Sequence, residues 1–160
     1  MLFRSVSVVV TNHGAVSATF MAQLQPVAPS LFQLGATSYA LATRYPDNAV
    51  IGNQAVVPGT VAAKPGDILN LWLTGLGPTQ PPAPAGKVVT ASAPTASPAT
   101  VTVGNTAVNV LGAATTANAV GLYQINIQLP QSIALGDQPV VATVAGFQSP
   151  TAVNLYIANQ

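Results

Sequence analysis

Charge is what this sequence has least of. Only 4% of its 160 residues are Asp, Glu, Lys or Arg, and none is Glu, whereas a soluble globular chain usually carries about a quarter. The full set is Arg4, Arg44, Lys64, Lys87, Asp47, Asp67 and Asp137, with His13 the single histidine and a net charge of +1. Phosphate neutralisation needs a stripe of Lys and Arg, so nucleic acid is not an expected partner. A nucleophilic triad needs a base oriented by an acid, and the only imidazole sits in an Asn12-His13-Gly14 turn signal. Paired-carboxylate hydrolysis needs two acids facing one bond, yet each Asp stands beside Gly or Pro in a turn-like context. Cysteine is absent, which removes disulfides and thiolate ligands for zinc or iron–sulfur clusters. A calcium site drawn from Asp47, Asp67 or Asp137 has no ligand spacing behind it. Gly75-Leu76-Gly77-Pro78 brings no lysine and so makes no phosphate loop. The expectation is a protein that is not an enzyme, with no metal and no cofactor.

Long apolar runs are missing too, although 49% of the residues are hydrophobic. Thr, Asn, Gln, Gly and Pro break them well short of the ~20 residues that span a bilayer, so no transmembrane segment is expected. A surface of Ser, Thr, Asn, Gln and Ala repels itself weakly, which favours contact with neutral polymers or with like surfaces. No secretory leader is visible. The head Met1 to Ser5 reads as disordered or as a translated library adapter, with any export signal lying upstream of this fragment.

What is present is period-2 alternation in short segments closed by turn residues. In 122–129, Tyr123, Ile125, Ile127 and Leu129 face one way and Gln124, Asn126 and Gln128 the other. Segment 68–74 repeats this, with Leu69, Leu71 and Leu73 opposite Asn70, Trp72 and Thr74. Further strands are expected at 6–11, 18–24, 39–43, 100–103, 107–111, 140–144 and 152–157. Turns are expected at Asn12-His13-Gly14, Pro65-Gly66-Asp67, Gly104-Asn105, Gly136-Asp137 and Ala145-Gly146. Residues 75–86 are rich in proline and read as extended loop, with a short edge strand at 87–90. Residues 28–59 read as a long connection holding the turn Arg44-Tyr45-Pro46-Asp47-Asn48. No helical periodicity persists. The expected fold is all-β, an immunoglobulin-like β-sandwich of two antiparallel sheets without substantial helix.

Two stretches, 8–19 and 140–151, share spacing and character: strand, Gly turn, Ser, strand. The second closes a unit, so the first reads as the terminal hairpin of a preceding repeat. This divides the chain into a head (1–5), a terminal hairpin (6–27) and one full module (29–160). An isolated ribbon is marginal in water, so the hairpin is expected to pack on the module or on a neighbouring chain.

Three ordered motifs carry a resemblance. Pro65-Gly66-Asp67 with Thr74-Gly75-Leu76-Gly77-Pro78-Thr79 looks like a "PGD…TGxGPT" signature. Gly121-Leu122-Tyr123-Gln124-Ile125-Asn126 resembles a "GLYQIN" strand, and 136–146 a final hairpin. Together they are similar to the Solibacter-type C-terminal domain of large exported acidobacterial proteins, akin in style to IPT/TIG repeats. The resemblance implies an immunoglobulin-like sandwich in a secreted or cell-surface protein, and no established chemistry.

The functional expectation is a structural or adhesive module, a spacer or C-terminal domain whose partners are neighbouring domains of the same polypeptide. Two alternatives stand beside it. One is a polysaccharide-binding module that stacks a sugar on Trp72, with Tyr45 and Arg44 as further candidate ligand-binding residues. Against it, a cover supplied by 28–59 or by the hairpin would hide a large exposed indole. The other is self-assembly, in which the 6–24 hairpin adds to the sheet edge of a second copy.

Overall fold

A computed structural model describes residues 4–84 and 86–159. Every regular element among them is a strand. In chain order these are β1 (Arg4–Val8), β2 (Thr11–Asn12), β3 (Ala15–Val16), β4 (Phe20–Leu24), β5 (Ser30–Leu31), β6 (Ala42–Tyr45), β7 (Ile68–Thr74), β8 (Ala99–Val103), β9 (Thr106–Thr115), β10 (Tyr123–Gln128), β11 (Gly136–Val144), β12 (Phe147–Gln148) and β13 (Asn154–Ile157).

The body is one curled, nine-stranded antiparallel sheet. Hydrogen bonding runs β12-β11-β8-β9-β10-β7-β5, with β13 on β11 and β6 on β7. Two separate stacked sheets were the expectation; here the ladder is unbroken because β9 serves both halves. Its first residues pair with β8 and its later ones with β10. A register shift opposite Asn126 and Ile127 leaves Leu111 unpaired and bends the strand between them. Single bridges draw the far edge round: Tyr39 pairs with Asn154, and Ala63 with Ile157.

Alternation places the core as expected. Leu69, Leu71, Leu73, Ile125 and Ile127 are fully buried, and Val101, Val103, Val140, Ala142, Val144, Leu155 and Ile157 meet them from the other half. Tyr123 packs at the margin of this cluster and donates its hydroxyl to the Gly77 carbonyl at 2.6 Å.

Several local expectations change. Gly136 and Asp137 are not a turn; they begin β11 and pair with Ile157 and Tyr156. Residues 87–90 form no strand. The connection 28–59 is woven into the sheet, because β5 and β6 both pair with β7. Arg44 and Tyr45 end β6, so the turn proper is Pro46 to Asn48. In the head, Arg4 and Ser5 pair as strand residues with Leu24 and Gln23; Met1 to Phe3 lie outside the described residues.

The terminal hairpin does not pack on the module. β1 with β4, and β2 with β3, form a ribbon whose side chains are nearly all exposed. The segment directly after the ribbon docks firmly. Val27 is buried, and the Ala28 N–H donates to the Gly75 carbonyl at 2.9 Å. Gly75, at φ 77°, lets this happen, since a Cβ there would collide with the Ala28 carbonyl. The glycines of the "TGxGPT" stretch thus seat the 26–28 segment.

Candidate functional site

The polar side of the sheet gathers the candidate binding residues. Register sets Thr43 beside Asn70, and Tyr45 beside Ile68. On the other flank of β7, Asn126 stands opposite Asn70 and Gln124 opposite Trp72. Because paired residues share a face, these side chains form one uncharged surface. The Asn126 amide donates to Asn70 Oδ1 at 2.6 Å.

Trp72 lies on this face but is half-buried. Its indole Nε1–H donates to Thr43 Oγ1 at 3.3 Å, and the 32–41 backbone runs alongside, with the Trp72 carbonyl accepting from Phe32 N–H. The residue that holds the indole, Thr43, comes from within 28–59. Tyr45 shares the face and is 61% exposed. Four residues of β7 separate Trp72 from the Tyr45 level, about 13 Å along a strand. Arg44 points the other way, level with Leu69. The structure therefore unites Tyr45 and Trp72 on one surface and removes Arg44 from it.

Arg44 instead organises two of the three carboxylates. Its Nη2 lies 2.6 Å from Asp47 Oδ2, and Nη1 lies 3.8 Å from Asp67 Oδ2. The hydrogen bond from Arg44 holds the Asp47 carboxyl below the usual range, with help from the Ala49 N–H. The same bond raises the guanidinium. Asp67 accepts from Lys64 N–H at 2.8 Å and so closes the Pro65-Gly66 turn. The third carboxylate, Asp137, accepts from the Tyr39 hydroxyl at 2.9 Å. Burial is the main reason the Tyr39 phenol is raised, with the Asp137 bond second.

Asp47 is held within its own turn, while Asp67 and Asp137 reach residues distant in sequence, Arg44 and Tyr39. His13 stands apart at the exposed ribbon tip. Compared with known protein families, curated proteins and solved structures, the chain matches none.

A groove of about 650 Å³ lies where the 25–28 segment meets the proline-rich loop. Val27, Gly75, Pro84, Val89 and Tyr123 are among its lining, and Lys87 is the one charged residue among the described lining. Burial raises the Tyr123 phenol. The groove has apolar walls and no carboxylate or imidazole with which to move a proton near neutral pH. Among the described residues no group of three His, Cys, Asp or Glu is placed to hold a metal ion, and no helix is long and apolar enough to cross a membrane.

Alternation in β7 and β10 showed that Asn70 and Asn126 lie on polar faces, but their pairing is set by the strand register. Thr43, which caps the indole, was not legible, because it sits in a segment whose pairing is set by distant strands.

Proposed function

We propose that this chain is a non-catalytic structural module, an immunoglobulin-like β-unit serving as spacer or C-terminal domain in a larger secreted or cell-surface bacterial protein. One observation carries the reading: the three carboxylates are spent on structural bonds, with Asp47 and Asp67 on Arg44 and Asp137 on Tyr39. The antiparallel strands, the chain crossing between halves at β9, and the likeness of the 65–79 and 121–126 motifs to a Solibacter-type domain support the family of fold. Its partners on this reading are the neighbouring domains of its own polypeptide.

The test is turnover. Purified chain incubated with ester, glycoside, peptide and phosphoester substrates should release product no faster than buffer. Asp47→Asn, Asp67→Asn and Asp137→Asn should change only stability. Turnover that disappears with any of these, or with His13→Ala, would contradict the proposal.

A second reading, polysaccharide binding, draws on the exposed Tyr45 ring beside the Asn70–Asn126 amides. Retention on insoluble glucans or chitin should then be lost in Tyr45→Ala and reduced less in Trp72→Ala, whose ring is partly covered. No retention on any polymer ends that reading.

A further inference from the structure

The repeated stretches fold into the same hairpin, and only one of them is covered. The turns match: His13 and Gly14 have φ of 48° and 83°, Ala145 and Gly146 have 49° and 83°. Such paired positive angles suit the right-handed twist of a two-residue hairpin. Each hairpin is then clasped by a serine seven residues from its partner. Val10 N–H donates to Ser17 Oγ, and Ala142 N–H to Ser149 Oγ, both at 3.0 Å. The main chain returns the bond, from Ser17 N–H to Val10 and from Ser149 N–H to Ala142.

Beyond the clasp the outgoing strands correspond, Val8 with Val140, while the returning strand of the body pairs one residue later: Phe20 is three residues past Ser17, and Val153 is four past Ser149. Val8 faces Phe20, Val6 faces Ala22 and Arg4 faces Leu24. In the body Val140 bonds Val153, Gln138 faces Leu155 and Gly136 faces Ile157. The burial does not agree. Val140, Val153, Leu155 and Ile157 are core residues, whereas Val8, Phe20 and Leu24 are 41%, 69% and 49% exposed. Volumes are exchanged across the set: Phe for Val at one position, Ala for Leu at the next. The opposite face of the ribbon carries Ser5, Ser7 and Gln23 with Met21, so its two sides differ in polarity.

The body itself shows what such a face packs on. Val140–Val144 pair with β8, and that strand turns Ala99, Val101 and Val103 into the core. In the ribbon the matching edge, 8–12, pairs with no further strand among the described residues. We infer that the 4–24 ribbon is the closing hairpin of a second β-unit of the body's own kind. It docks by its Val8–Phe20–Leu24 face onto a sheet whose open edge is an alternating apolar strand like β8. A further copy of this chain is not the partner, because its body already holds its own hairpin there. The inference goes beyond the structural role proposed above, which stands unaltered if the ribbon finds no such unit.

The experiment supplies such a unit. Residues 26–135 are added ahead of Arg4 in the full chain, so that Arg4 follows Leu135 as Gly136 does in the body, and the added unit keeps the Val27 and Ala28 contacts. Amide exchange within 4–24 should slow by about 100-fold or more relative to the unextended chain, and two folded units should be seen. Val8→Asp with Phe20→Asp should abolish that protection and leave the 29–159 body unchanged. An added segment that stays unfolded, or a ribbon exchanging as fast as before, would overturn the inference. So would self-association of the unextended chain that Phe20→Asp abolishes, since the occupant would then be a second copy.

Discussion

An added methyl at Gly75 would run into the Ala28 carbonyl, and the residue's φ of 77° already disfavours any side chain. Gly75→Ala should therefore cost about 2 kcal/mol or more in chemical denaturation. Gly14→Ala carries a similar angle, but nothing lies within 4 Å of its would-be Cβ; its cost is confined to the ribbon and should leave the body's midpoint in place. Titration gives a second expectation. The lowered Asp47 carboxyl contributes stability that is complete above its unfolded value and lost as pH falls through the lower folded one. The raised Tyr39 phenol contributes stability that is complete below its unfolded value near 10 and lost as pH rises through the raised folded one. The denaturation midpoint should thus be flat from about pH 5 to 9 and fall on both sides. Tyr39→Phe should cost about 1 kcal/mol at neutral pH, a Tm drop of about 2–4 °C for a chain this size. It should also shrink the alkaline fall, the remainder following Tyr123. A midpoint that falls equally in wild type and Tyr39→Phe above pH 10 would show that the Tyr39–Asp137 bond is not the source.

At the scale of the element, the ribbon and the segment behind it behave oppositely. Deleting 4–24 should move the body's stability by no more than about 0.5 kcal/mol, since these residues touch it so little. Deleting 4–28 should cost at least a further 1.5–3 kcal/mol, because Val27 is buried and the Ala28–Gly75 bond goes with it. Equal losses from the two deletions would mean that the ribbon packs on the body. Elements with a half-buried alternating pattern were legible in the sequence, β7 and β10 above all, because Leu69, Leu71, Leu73, Ile125 and Ile127 face one core. The tight turns were legible too, with Gly104 and Gly146 at positive φ. Gly136-Asp137 misled because a turn-type pair can open a strand when a partner such as Ile157–Tyr156 is supplied from far away. β5 and β6 were hidden for the same reason: short and irregular, they owe their pairing to β7. Of the site, the amide face could be read, whereas the capping of Trp72 by Thr43 and the turning away of Arg44 depend on the register of β6.

Across the whole molecule, two halves that would be separate sheets in the expected sandwich are joined through β9 and closed by the Tyr39 and Ala63 bridges. A core continuous over both halves should open as one cooperative body, with the ribbon outside it. The most direct measurement is hydrogen exchange on the full chain. Amides of Leu71, Ile125, Val101 and Ala142 should exchange together, at the free energy of global unfolding, while those of 4–24 exchange orders of magnitude faster. Two body halves opening independently at the β9 bend, or a ribbon as protected as β7, would contradict the structure's division into one closed unit and one unpartnered hairpin.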